Sequence, residues 1–327
     1  MSIKTPKFWR KKNLISLILL PLTEVYWLVF NILWKLKEPK KIAGIKVVCI
    51  GNLTLGGAGK TPTAIAIGKA LKDKGINFAY LSSGYKGSAK DFCEVKIDSD
   101  HEIVGDEPIL LSAVAPTFVC SDRYEALKQL KDLGYELAIL DDGMQDNNVQ
   151  KDFLLAVVDG KTKFGNGFLF PAGPLRQTIR SGFAAADKII VVGEVDEYLR
   201  AKMEKYSVLP KLVMVTASSP DVKKYEGKKL FAFCGLGYPE KFFSFLSAIN
   251  LNVVRKKAFV DHYNYKNSDL DSLLKRAQKE GLELVTTKKD WIKFNEQYRQ
   301  KINFFDIDFA FDKESEIIEE IVKIKKA

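Results

Sequence analysis

Apolar residues along this chain fall into short β-branched runs separated by stretches of helical spacing, an alternation that predicts an α/β architecture. The clearest run, Val47, Val48, Cys49 and Ile50, has no polar interruption and reads as a strand buried on both faces. It stops at glycine, and from Thr63 onward AIAIGKALKDKG carries the helical apolar period to Gly75. The alternation then recurs. INFAYLSSGYKGS (76–88) predicts a strand, VGDEPILLSAVA (104–115) a helix, and APTFVCSDR (115–123) a strand with a helix to Gly134. ELAILDDGMQD (136–146), FLLAVVDG (153–160) and DKIIVVGE (187–194) add strands, the last expected to close the series. Strand, helix, strand at this spacing is a βαβ unit, which calls for a parallel sheet with right-handed crossovers. Residues 195–225 are mostly polar with one strand-like run, LVMVTAS (212–218), and read as the passage to a second domain. KKLFAFCGLGYPEKFFSFL (228–246) restarts the pattern, followed by NVVRKKAFVDHYNY (252–265) and GLELVTTKKDWIKF (281–294).

The N-terminus is patterned differently. Lys7, Arg10, Lys11 and Lys12 precede NLISLILLPLTEVYWLVFNILW (13–34), in which Glu24 is the only charge, and Lys35, Lys37, Lys40 and Lys41 follow. A cleavable signal peptide is not expected, because the apolar run is too long and lacks a small-residue cleavage site. As a straight helix it would reach roughly 33 Å, enough to cross a bilayer. Pro21 and Glu24 in mid-segment and equally basic flanks favour instead a bent helix or hairpin lodged in one leaflet, with a single span or a soluble buried helix as alternatives.

The stretch VVCIGNLTLGGAGKTPT (47–63) supplies the first candidate chemistry. Strand, glycine-rich turn and helix start, in that order, make a phosphate-binding loop. Gly56, Gly57 and Gly59 let backbone N–H groups curl around phosphate oxygens; Lys60 reaches the outer phosphates and the Thr61 hydroxyl is placed to hold Mg²⁺. Thr54 stands where the full pattern G-x-x-x-x-G-K-S/T has glycine. The second signal is LAIL running into Asp141 and Asp142, by which a carboxylate at a neighbouring strand end reaches the metal beside the phosphates. Asp106 and Glu107 precede a helical pattern, and on their own read as capping and dipole charges. Arg176 is either a phosphate ligand or a surface arginine, and His262, taken alone, reads as a structural histidine.

Composition narrows the classes. At 327 residues with 46% hydrophobic residues the chain buries a large core and is not disordered. Four cysteines without C-x-x-C spacing indicate neither a zinc site nor a disulfide framework, and two histidines exclude a multi-histidine metal centre. The net charge of +10 suits an anionic partner, lipid or nucleic acid, and no nucleic-acid recognition module is present.

GNLTLGGAGKTPT, VGDEP, DDGMQD, PAGPLR, Asp261-His262 in FVDHYNY and TTKKD, in that order, resemble the tetraacyldisaccharide 4′-kinases, the lipid A kinases, over nearly the whole chain. The resemblance implies a P-loop NTPase-like parallel sheet flanked by helices, with a smaller C-terminal α/β domain and an N-terminal membrane-associated helix. It implies transfer of the γ-phosphate of ATP, with Mg²⁺, to the 4′-hydroxyl of a tetraacyl glucosamine disaccharide 1-phosphate at the cytoplasmic face of the inner membrane. Asp106 is then the base, paired with His262, and Lys60 the catalytic lysine. Thr54, Gly56, Gly57, Ala58, Gly59, Lys60 and Thr61 hold the nucleotide, and Thr61, Asp141, Asp142 and Glu107 the metal. Arg123, Gln145, Arg176 and Asp261 are further candidates. Where that family reads DDGFQH, SRGY and GPLRE, this chain has Met144 and Asp146, Ser83, and Gln177. The expected partners are the lipid disaccharide and an anionic membrane surface, with no nucleic acid and no obligate protein partner. The expected domains are 1–41 (membrane-associated), 42–225 (kinase core) and 226–327 (C-terminal, closing on the site). The alternative class is a P-loop NTPase that couples hydrolysis to partner-protein binding, but no guanine-reading N-K-x-D tetrapeptide is present and TKKD (287–290) differs at its first residue.

Overall fold

The computed structural model describes residues 6–220 and 222–326; the first five residues of the expected N-terminal segment lie outside them. In chain order the strands are β1 (Lys46–Asn52), β2 (Ala79–Ser82), β3 (Cys93–Val95), β4 (Thr117–Val119), β5 (Leu137–Asp141), β6 (Phe153–Asp159), β7 (Lys188–Val192), β8 (Leu212–Ser218), β9 (Lys229–Cys234), β10 (Asn252–Ala258), β11 (Glu283–Thr287), β12 (Asn303–Phe305) and β13 (Asp308–Phe311).

Among the described residues nine of these form one sheet, in the order β13-β8-β7-β6-β1-β5-β2-β4-β3. From β8 to β4 every neighbouring pair is parallel, and β3 runs antiparallel to β4. β1 lies at the centre because both its faces are apolar. Val47 and Cys49 point into one core cluster with Ala126, Leu127 and Leu130 of the helix Arg123–Asp132. Val48 and Ile50 point into the other with Ala64, Ile67 and Leu71 of the helix Lys60–Asp73. Helices on both faces leave ligands the carboxyl ends of the strands.

The chain divides into two compact units, one of Lys7–Ala217 with Phe309–Ala327, the other of Ser218–Asp308. This differs from the division expected from the sequence. Residues 7–41 belong to the larger unit, β8 extends its sheet past β7, and the tail after 308 returns to it. The return is secured by Lys188, 8% exposed, whose ammonium bonds Glu316 and lies 2.9 Å from Glu320 on the helix Glu314–Lys326. Ile317, Ile318 and Ile321 of that helix join the same core as Ile67 and Leu71. The smaller unit holds a parallel sheet ordered β10-β9-β11-β12.

The apolar N-terminal stretch forms two helices, Leu14–Ile18 and Leu20–Lys35, with the break at Leu19 and Pro21 in the first turn of the second, where its missing N–H is no loss. At 16 residues the longer helix rises about 24 Å against roughly 30 Å of hydrocarbon. Among the described residues no helix is long and apolar enough to cross a membrane, which corrects the single-span alternative.

Gly68 lets the helix Lys60–Asp73 close on β2: a Cβ there would sit 1.7 Å from the hydroxyl of fully buried Tyr80, which donates to Ala64 O at 2.7 Å. Gly68→Ala should therefore destabilise by about 2 kcal/mol in urea unfolding, opposite in sign to the roughly 1 kcal/mol gain of Gly→Ala in an open helix. The double variant with Tyr80→Phe should recover part of that loss.

Candidate functional site

The glycine-rich turn is braced from outside. Leu55 N donates to Pro174 O at 2.7 Å and Arg176 N to Leu53 O at 2.7 Å, while Thr54 bridges Leu175. Gly59, at φ +100°, enters the helix Lys60–Asp73 in a conformation that strains any side chain, and a Cβ there would lie close to its neighbours, 3.2 Å from Val192 and 3.4 Å from Phe309. Gly56 also has positive φ, and the Ala58 methyl packs into the core.

Asn52, fully buried at the end of β1, organises the turn. Its amide nitrogen donates to Thr54 O (2.7 Å) and Gly56 O (3.4 Å), and its Oδ1 accepts from Lys60 Nζ at 3.2 Å. The sequence reading missed it. The signal was a polar residue ending an apolar strand directly before the glycines.

The register of β1 with β5 sets Ile50 beside Asp141. Thr61 Oγ1 donates to Asp141 Oδ2 at 3.2 Å, whereas Asp141 Oδ1 is buried with no hydrogen-bond partner. Burial, reinforced by the charge of Glu107, pushes the Asp141 carboxyl up to about 7 against the pull of Lys60. Asp142 turns the other way. In the left-handed region at φ +58°, with its N–H on Ile50 O at 2.8 Å, it bonds Arg176 Nη1 at 2.7 Å and lies 3.4 Å from Lys60 Nζ. Burial raises its carboxyl, but Lys60 and Arg176 outweigh that and hold it below the usual carboxylate range.

The residues that depart from the family pattern are used in the scaffold around this pair. Asp146 Oδ2 lies 2.6 Å from Arg123 Nη1, and Arg123 Nη2 donates to Asp142 O at 3.0 Å. Burial raises the Asp146 carboxyl, yet Arg123 and the Asn148 amide bring it below its ordinary value. Gln145 Nε2 donates to Asn52 O and to Gln177 Oε1, both at 2.9 Å, tying the DDG loop to the strand end.

The larger unit thus brings together Asn52, Lys60, Thr61, Asp141, Asp142, Gln145, Arg123 and Arg176, with Glu107 close enough to repel Asp141. Asp106 is 4% exposed in the first turn of the helix Asp106–Ser112. It is not the cap; that position is Gly105 at φ +87°, where a Cβ would sit 2.8 Å from Tyr85 O. Asp261 and His262 lie in the smaller unit. His262, at φ +56°, has Nε2 3.1 Å from Lys289 Nζ and 3.8 Å from Asp261 Oδ1, and its N–H donates to Gly235 O at 3.1 Å.

The family described as Tetraacyldisaccharide-1-P 4′-kinase matches residues 15–325. The tetraacyldisaccharide 4′-kinase of Rhodospirillum rubrum is 36% identical over 314 residues, covering 95% of this chain and 94% of that one. That of Rickettsia canadensis is 34% identical over 320 residues, covering 97% and 96%. Among solved structures, LpxK from Aquifex aeolicus in complex with ATP superposes with a TM-score of 0.73 at 25% identity, over 95% of this chain and 99% of that one. A match across almost the whole length, carried by relatives of this identity, means that the chain belongs to the Tetraacyldisaccharide-1-P 4′-kinase family.

Proposed function

We propose that this enzyme moves the γ-phosphate of ATP to the 4′-hydroxyl of a tetraacylated glucosamine disaccharide 1-phosphate, giving the bis-phosphorylated lipid A precursor. The observation that carries the reading is Lys60, held by Asn52 and Asp142 where a helix begins after a glycine turn, with Thr61 and Asp141 alongside. Phosphoryl transfer demands alignment and neutralisation of charge, with little covalent work by side chains. The turn amides and Lys60 meet the phosphates, and Arg176 adds a second cation where charge develops. Asp106 takes the proton of the sugar hydroxyl, and we assign His262 a supporting role in catalysis.

Mg²⁺ fits the residues present. The unpartnered Asp141 Oδ1 and the adjacent Thr61 hydroxyl are hard oxygen donors, and among the described residues no three His, Cys, Asp or Glu side chains form a closed metal cage. Thr61 and Asp141 would hold the ion, with Glu107 and Asp142 as surrounding carboxylates. Bound there, it would neutralise phosphate charge.

The N-terminal helices supply access to a lipid that does not readily leave a bilayer, given about 0.8 kcal/mol per buried CH₂. Ile18, Leu22 and Leu28 are 67%, 56% and 54% exposed. The opposite side packs on the core: Tyr26 OH donates to Arg176 O at 2.8 Å, and Trp34 O and Lys37 O accept from Asn147 at 3.0 and 2.8 Å. We assign the exposed face to the anionic cytoplasmic surface of the inner membrane, with the flanking lysines on head groups.

With labelled ATP and the lipid disaccharide, label should pass to the lipid without a protein partner; release to water alone would instead support the hydrolysis-coupled alternative. Asp106→Asn should abolish transfer while nucleotide affinity stays within a few-fold, and near-normal turnover of that variant would remove Asp106 as base. Asn52→Ala, which frees Lys60 and the turn, should lower kcat/KM for ATP by about 10- to 100-fold, corresponding to one charged hydrogen bond. Replacing Ile18, Leu22 and Leu28 together by Gln should weaken binding to anionic vesicles by on the order of 3 kcal/mol, or about 100-fold. Since these side chains are exposed, thermal stability should be unchanged; vesicle binding at the wild-type level would refute the membrane assignment.

A further inference from the structure

Residues of the TTKKD segment converge on the strand end and loop that carry His262. Thr286 Oγ1 donates to Phe233 O at 2.9 Å, and fully buried Asp290 accepts from Gly235 N and Thr287 Oγ1, both at 2.8 Å. Gly235 leaves room for these side chains: a Cβ there would lie 3.0 Å from Asp290 Oδ1 and 3.1 Å from Tyr265 OH, close enough to push them back. The carbonyl of this same Gly235 accepts the His262 N–H at 3.1 Å, so Asp290 holds the strand end from which the His262 backbone hangs. His262 is in the left-handed region, an uncommon conformation for a non-glycine residue that surrounding contacts must maintain.

Lys289 acts on the ring. Its Nζ lies 3.1 Å from His262 Nε2, while Asp261 Oδ1 is 3.8 Å from the same nitrogen. An ammonium carries donors only, so Nε2 facing it at this distance has to be the acceptor, which leaves the ring proton on Nδ1.

We propose that Lys289 is a positioning residue that fixes His262 as the neutral Nδ1–H tautomer, with Asp290 and Gly235 setting the backbone beneath it. With Nε2 accepting, Nδ1–H is the ring's one donor. The catalytic consequence rests on the reading that His262 serves the transfer; the tautomer does not.

The two are separated by one set of measurements. Full-length protein labelled with ¹⁵N in its imidazoles shows only His101 and His262, and His101→Gln assigns them. Two-bond ¹H–¹⁵N correlation at about pH 8 should show His262 protonated at Nδ1 and bare at Nε2. Lys289→Met should move the proton to Nε2, the form imidazole favours in water, and Lys289→Arg should restore Nδ1–H. An Nε2–H or imidazolium His262 in the wild type, or a tautomer indifferent to Lys289→Met, overturns the proposal even if a variant folds poorly, since the first result needs no variant. In turnover, Lys289→Met should lower kcat by about ten-fold or more with KM for ATP unchanged, and Lys289→Arg should recover most of it. His262→Gln turning over at the wild-type rate would defeat the catalytic reading of His262 and leave the tautomer assignment standing.

Discussion

Lys60 brings a positive charge to the carboxyl edge of a sheet that is buried on both faces, and Asn52 and Asp142 hold it there. The arrangement follows from strand pairing. Because β1 and β5 run parallel with Ile50 opposite Asp141, the glycine turn leaving one strand and the carboxylates leaving the other share one edge. A slip of one residue in that register would turn every side chain of β5 to the opposite face. The two aspartates then divide: Asp142 is charged and compensated by Lys60 and Arg176, while Asp141, with the higher proton affinity, presents a buried oxygen with no partner. Neighbouring carboxylates driven apart in this way can take separate roles in one reaction.

The N-terminal segment is part of this edge. The helix Leu20–Lys35 exposes apolar side chains on one side, and on the other its Tyr26 hydroxyl binds the carbonyl of Arg176, the arginine that grips Asp142. Asn147, in the loop that follows Asp142, bonds the carbonyls that end the same helix. Thr23 and Trp9 make further bonds to the 169–172 segment, which pairs through Leu169 and Phe170 with Leu175 of the stretch that braces the glycine turn. The apolar face and the glycine-rich turn are therefore joined within one compact unit by short hydrogen-bonded paths.

Much of this was legible in the sequence because the central strands are uninterrupted apolar runs. The turn between β1 and its helix could be read residue by residue, as could the strand ending in Asp141. What stayed hidden has specific causes. In β8 Val213 and Val215 are buried while Met214 is exposed, so LVMVTAS reads as strand-like, but a single strand with one open face inside a polar passage does not announce that it extends the large sheet past β7. β3 and β12 are too short to show a period. The tail returns to the large sheet because of Lys188, 128 residues from Glu316, a contact that no local pattern announces. Asn52, the Arg123–Asp146 pair and the Gln145–Gln177 contact are likewise long-range or depend on the turn's own shape. The family pattern drew attention to Asp146 and Gln177 as departures, and their partners explain what they do here.

The central claim is that the terminal phosphates of ATP are gripped by the turn of residues 54–61. A crystal structure of the full-length protein with Mg²⁺ and a non-hydrolysable ATP analogue tests it most directly. The account predicts the β- and γ-phosphates within hydrogen-bond distance of the turn amides and Lys60 Nζ, with the metal on Thr61 and Asp141. A triphosphate lodged elsewhere, with Lys60 still on Asn52 and Asp142, would contradict it.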